Sequence, residues 1–125
     1  MITFHQSTGI IEKDGVVIGK GYAGNGRGKN NPSMQSVHGV GPIPVGFYTI
    51  GPAMDHPESV GKFAMHLEPD PGNGMYGRSG FYFHGPVSMD DPRFGEESHG
   101  CPVAMRPVRV MVDADPDRRL EVVAQ

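Results

Sequence analysis

Glycine and proline cut this chain into short pieces: 19 Gly and 12 Pro stand among its 125 residues, and turn signals recur about every ten residues. Together they approach a low-complexity composition. They follow no period, however, and apolar runs lie between them. The pattern is that of short strands joined by tight turns. Strands are expected over Ile2–Gln6, Gly9–Lys13 and Val16–Lys20, with Lys13-Asp14-Gly15 as a hairpin signal between the last two. Gly21–Pro32 reads as a glycine-rich loop. Further strands are expected over Phe47–Ile50, Lys62–Leu67, Gly80–Phe83 and Leu120–Val123, where aromatic and apolar residues suit a pleated surface. Cys101–Met105 reads as a last central strand or the start of a helix. Pro107 suits the first turn of a short helix over Val108–Val112. The expected fold is mainly β: one small antiparallel sandwich or barrel-like domain over 1–125, with one short helix near the C-terminus.

Charge and cysteine content narrow the function. The net charge is -3 and the sequence pI ≈ 6.0, which is not the basic footprint of a nucleic-acid binder. Arg106, Arg109, Arg118 and Arg119 cluster near the end, where Asp113, Asp115 and Asp117 offset them. One cysteine is present, so no internal disulfide forms and Cys101 is free to react. The start, MITFHQSTG, lacks a basic region followed by an apolar one, and no stretch is apolar enough to span a membrane. The expectation is a soluble chain made in the cytoplasm and delivered to any target outside it.

Two glycine patterns are decoys. Gly19 to Gly24 fits the dinucleotide spacing, but Asn-Gly-Arg-Gly follows where a helix must open over the pyrophosphate. Gly28-Lys29 suggests a phosphate loop, yet Ala23 replaces its first glycine and Asn30 the Ser or Thr that would hold magnesium. No cofactor is expected.

The chemistry concentrates between Gly77 and Met105. A strand-like Gly-Phe-Tyr-Phe ends at His84-Gly85, and after thirteen residues comes Ser98-His99-Gly100-Cys101. A thiol attacks a carbonyl as thiolate, and a nearby imidazole lowers its pKa and shuttles the proton. His84 and Cys101 are far enough apart in sequence to lie on neighbouring strands. The Gly85 carbonyl is placed to hold the imidazole in one tautomer. Gly100 permits a turn whose backbone N–H, with that of Cys101, would face a developing oxyanion. Two other readings stand beside this one. A lone cysteine is often a small buried hydrophobe. His84, His99 and Cys101 could also share a zinc ion, but no fourth ligand stands at a recognisable spacing, so no metal is expected. His5, His38, His56 and His66 have no motif around them and read as surface or structural residues.

This segment resembles the catalytic signature of the L,D-transpeptidase family, a histidine, a spacer, then Ser/Thr-His-Gly-Cys. His84, Ser98, His99, Gly100 and Cys101 occupy those positions. Gly41–Ile50 is similar to the family's Pro-x-Gly-x-aromatic-x-Ile strand. The fuller pattern is closest to the L,D-transpeptidase-like effectors of type VI secretion and their prophage relatives, through Gly21–Pro32, Gly41–Pro44 and Gly77–Gly80. The resemblance covers about Val16 to Met105 and implies a thioacyl mechanism at the L,D bond before the terminal D-Ala of a tetrapeptide stem. Cys101 would be the nucleophile, His84 the base, and Ser98, His99 and Arg78 substrate contacts. Peptidoglycan stem peptides would be the substrate, and an immunity protein or a secretion or virion component a further partner, with no nucleic acid and no membrane insertion. Such an enzyme would act in the periplasm after delivery. The spacer is slightly short, and Pro102-Val103 follows the cysteine where many members carry Arg or Asn, so Arg78 or Arg106 would have to bind the substrate carboxylate. The rival is a catalytically silent module of a virion or secretion apparatus that keeps the fold.

Overall fold

The structure is a computed structural model that describes residues 1–56, 60–86 and 98–125. Ten strands and one α-helix are formed by these residues. β1 (Ile2–His5), β2 (Ile10–Lys13) and β3 (Val16–Lys20) make an antiparallel meander. Its second turn carries Asp14 at φ 50° and Gly15 at φ 83°, the pair of positive angles that twists a two-residue hairpin correctly. Ile2, Phe4 and Ile11 turn inward and are fully buried, so strand periodicity sets which face meets the core.

β1 also pairs with β10 (Arg119–Val123), and this pair is parallel. β10 then pairs antiparallel with β5 (Gly46–Ile50), and β5 with β7 (Gly61–Pro69). Ile50 stands opposite Leu67, and β6 (Met54–His56) continues along β7 with Met54 opposite Ala64. β8 (Phe81–Phe83) pairs with β7 through Met65, His66 and Leu67. A small second sheet joins β4 (Tyr22–Ala23) to β9 (Pro102–Val103), and a parallel bridge from His84 to Val103 links it to the end of β8. The main sheet therefore curls into a half-barrel around Tyr48, Phe83, Met65, Leu67 and Leu120, all buried. Each such side chain contributes roughly 1.5–3 kcal/mol when removed from water. Tyr48 keeps its phenol satisfied inside by donating to the Pro44 carbonyl at 2.7 Å.

The helix, α1 (Arg106–Asp113), has Pro107 in its first turn and buries Arg109 and Val112. It packs across β7 and β3. The basic cluster expected to balance its neighbouring aspartates is divided in space. Arg118 pairs with Asp113 at 3.0 Å and Arg119 with Asp70 at 2.8 Å, while Arg109 is buried against the Ala104, Lys62 and Phe63 carbonyls.

The edge of the main sheet passes into the small second sheet at Gly21, between β3 and β4. Its N–H donates to the Gly9 carbonyl at 2.8 Å, and a Cβ there would stand 1.9 Å from the Val103 carbonyl oxygen. Only a residue without a side chain lets β4 lie against β9. Gly21→Ala should therefore destabilise the protein by about 1–3 kcal/mol or more. Gly72→Ala, at a position with open space around it, should stay within about 0.5 kcal/mol. Denaturant melts of the two variants test this, and equal midpoints would show that the seam does not depend on Gly21.

Candidate functional site

The Ser98–Cys101 turn is held by every other block of the sequence. Ser98 is fully buried. Its hydroxyl donates to the Cys101 carbonyl at 2.6 Å and accepts the N–H groups of Gly24 at 2.9 Å and Gly100 at 3.2 Å. From the glycine-rich loop, Asn25 donates through Nδ2 to the carbonyls of Ser98 and Gly39, both at 2.8 Å. The Ile43 N–H donates to the Gly100 carbonyl at 2.8 Å. Arg78, only 6% exposed, donates through Nη1 to Gln35 and Pro42 and through Nη2 to Gly41 and His99, all backbone carbonyls.

These bonds revise three residue roles. Ser98 was expected to touch substrate; its hydroxyl is committed to three backbone partners, and it has no exposed surface to offer. Arg78 was expected to fork onto a substrate carboxylate; its four terminal N–H groups hold loop carbonyls instead. Gly100 was expected to donate its N–H to an oxyanion; that N–H donates to Ser98 Oγ inside the turn. Gly100 sits at φ 124°, and a Cβ there would lie 2.4 Å from Arg78 Nη2. The glycine is thus required by its angle and by its contact with the guanidinium. The other candidate anchor, Arg106, stacks over the Phe63 ring at 5.0 Å on α1.

His84 and Cys101 are brought to adjacent strands. The His84 N–H donates to the Pro102 carbonyl at 3.2 Å, and the Ala104 N–H to the His84 carbonyl at 3.0 Å. The ring's Nδ1 lies 2.9 Å from the Gly85 carbonyl. With Nδ1 as donor, Nε2 is left as the acceptor. Among the described residues, no hydrogen bond joins the ring to the sulfur. Cys101 Sγ instead receives the Tyr82 N–H at 3.4 Å and lies 3.8 Å from the Gly80 carbonyl. Most of the spacer between His84 and Ser98, residues 87–97, lies outside the described residues.

The sulfur borders a cleft of ≈ 320 Å³ whose walls include His38, Arg78, Phe81 and His99. His38 enters through a bond from its Nε2 to the Tyr76 carbonyl at 2.6 Å. Nothing in the sequence around His38 marked it, because the contact is made across the Gly39–Gly77 fold of two distant loops. His84 is not among the residues that line this cleft.

Burial sets the resting charges. It pushes the Cys101 thiol up to about 11, against the opposing pull of the Tyr82 N–H and the Arg78 guanidinium. Burial also pushes His84 below its ordinary value; the Gly85 carbonyl opposes this, and the charges of Arg109 and His99 reinforce it. The resting pair is therefore a neutral thiol and a neutral imidazole, and the imidazole does not lower the thiol pKa as the sequence suggests. Among the described residues, no three His, Cys, Asp or Glu side chains are grouped to hold a metal.

A family model described as the Tlde1 domain matches residues 18–119. The comparisons with curated proteins and with solved structures gave no match. Among the described residues, no helix is long and apolar enough to cross a membrane.

The charge state leads to a direct measurement. Alkylation of Cys101 by iodoacetamide should rise through a midpoint near pH about 11, and His84→Ala should leave that midpoint in place. A midpoint near neutrality that moves upward in His84→Ala would restore the ion-pair description.

Proposed function

This chain belongs to the Tlde1 domain family, a family of type VI secretion effectors, and on that premise we propose that it is a cysteine enzyme acting on peptidoglycan stem peptides. The observation that carries the proposal is the meeting of β8 and β9. It sets His84, with Nδ1 fixed by the Gly85 carbonyl, on the strand beside Cys101, and Cys101 at the wall of a cleft. The residue arrangement is that of a nucleophile, a base and a group that orients the base.

The proposed reaction begins with His84 Nε2 taking the thiol proton as Sγ attacks the carbonyl carbon of the residue before the terminal D-Ala. A carbon–sulfur bond forms, and the carbonyl oxygen takes the negative charge. The Gly100 N–H is engaged by Ser98 Oγ, and the Cys101 backbone N–H, which rests against its own sulfur, is the donor that the turn would offer. Collapse of this intermediate breaks the carbon–nitrogen bond, and the imidazolium returns its proton to the leaving D-Ala amine. Water then hydrolyses the thioester to a tripeptide stem, or an amine takes the acyl group. A neutral resting imidazole suits the first step, because an already protonated ring cannot accept the thiol proton. His38 and His99, exposed on the cleft wall, are the side chains available to meet the substrate. In this proposal the enzyme works in the periplasm of a target cell after delivery, and an immunity protein guards the producer.

The rival reading, a silent module that keeps the fold, draws on the low exposure of Cys101, 9%. Digestion of purified tetrapeptide muropeptides with mass analysis of the products separates the two. The wild type should release D-Ala or exchange it, EDTA should leave this unchanged, and Cys101→Ala should abolish it with an unaltered melting temperature. His84→Ala should slow acylation by about 10²–10⁴-fold. Activity retained in Cys101→Ala would sink the nucleophile assignment, and no turnover by the wild type would favour the silent module.

A further inference from the structure

We infer that Arg78 is a positioning residue for the nucleophile: its buried guanidinium fixes the Ser98–Cys101 turn and supplies the standing positive charge against which the Cys101 thiolate forms. The inference rests on the reading of Cys101 as nucleophile and names what makes that sulfur ionisable.

The geometry has two parts. Nη1 reaches Gln35 at 2.6 Å and Pro42 at 2.9 Å, and Nη2 reaches Gly41 at 2.9 Å and His99 at 3.1 Å. Two loops remote in sequence are thereby tied to the residue two before the sulfur. All four partners are neutral carbonyls, and among the described residues no carboxylate pairs with the guanidinium. Among the described residues, its charge is solvated by dipoles and not cancelled. Against Gly100 the guanidinium lies so close that a Cβ would stand 2.4 Å from Nη2, and both Arg78 and Cys101 border the same cleft.

A fixed cation in a poorly hydrated place lowers the energy of an anion formed beside it. Among the described residues, two ionisable groups feel this one. Tyr48 is pushed well above its ordinary value by burial despite Arg78, and its hydroxyl proton is held by the Pro44 carbonyl. Cys101 is the other, and Arg78 opposes the effect of its burial. Among the described residues, the other titratable groups around the sulfur are His84 on the adjacent strand, Tyr82, whose N–H meets Sγ, and His38 and His99 in the cleft. None carries a permanent charge, whereas a guanidinium does. Arginine also fits this place by its donors. Lysine has three on one atom, and four carbonyls converge here.

The test needs no substrate. The pH dependence of Cys101 alkylation is measured in wild type, Arg78→Gln and Arg78→Lys, with melting temperature followed in parallel. Arg78→Gln should raise the thiol midpoint by about one unit, or about tenfold less thiolate at a given pH. Arg78→Lys should keep the midpoint within a few tenths of a unit, roughly twofold in thiolate, while melting earlier. An unchanged midpoint in folded Arg78→Gln, or an equal rise in Arg78→Lys, overturns the charge assignment. Where Arg78→Gln does not fold, the wild type answers through the nitrogen resonances of the Arg78 side chain. They should shift at the pH where the thiol ionises, and this step should vanish in Cys101→Ser. Absence of the step overturns the inference. A protein that shows this coupling but ignores muropeptides would instead refute the peptidoglycan reading alone.

Discussion

Four carbonyls from three parts of the chain converge on the Arg78 guanidinium, and the site depends on that convergence. A buried charge without adequate hydrogen bonds is among the most destabilising features a protein can hold. Here the desolvation is offset by bonds that each contribute about 1.5–3 kcal/mol because one partner is ionised. The same bonds solve a second problem. Gly41, Pro42 and His99 lie in irregular backbone, where carbonyls have no ladder partner and must find one elsewhere. One side chain satisfies them together and so fixes the spacing between the Gly41–Pro44 loop and the Ser98–Cys101 turn. Ser98 plays the complementary part from the other side, accepting two N–H groups where Arg78 donates to carbonyls.

Burial then decides how such a site can work. Cys101 and His84 are both shielded from water, and shielding disfavours the charged form of each. A preformed ion pair is therefore the less stable resting state, and in the proposed mechanism proton transfer belongs to the attack itself. That ordering protects the sulfur. A neutral thiol is a poor target for oxidants and stray electrophiles. It also explains why the Gly85 carbonyl matters more than a carboxylate would. A carboxylate in its place would favour imidazolium, whereas a neutral acceptor holds the ring's orientation and leaves Nε2 unprotonated at rest.

Much of this was legible in the sequence, and what escaped has a physical reason. Val16–Lys20 agrees with β3 at both ends, because its turn chemistry is local and its apolar run is continuous. The β-rich half-barrel and the short helix after Pro107 follow from the same kind of signal. The glycine-rich loop, Gly41–Pro44, Gly77–Gly80 and Ser98–Cys101 stood out as four ordered blocks, and the type VI effector family they suggested is the family to which the chain belongs. Their meaning as one hydrogen-bonded cage did not show, because residue types do not reveal partners. Ser98 and Arg78 look like functional polar residues until their hydrogen bonds are traced to backbone. β4 and β6 are too short to leave a period. The parallel pairing of β1 with β10 joins the two ends of the chain, and nothing local encodes it. His38 reaches the cleft by a contact between loops of the same kind.

The position of Cys101 follows from the way the sheet curls. A continuous ladder pairs its backbone groups with each other and leaves none for chemistry. At the seam between β8 and the β4–β9 pair, the connection is reduced to the single bridge at His84 and Val103. The Tyr82 N–H there points to a sulfur rather than to a neighbouring strand, and the Cys101 turn is closed by side chains. Completing the ladder would stabilise the barrel but bury the sulfur behind a strand. Opening the seam further would loosen the alignment of His84 with Cys101, which the bonds to Pro102 and Ala104 and that from Tyr82 to the sulfur set. The glycines at this seam mark the compromise. Gly21 lets β4 approach within backbone contact of Val103, and Gly100 lets the turn accept the guanidinium. The glycine content that makes the chain resemble a low-complexity sequence is, at these two positions, the condition for bringing strand, charge and thiol into one place.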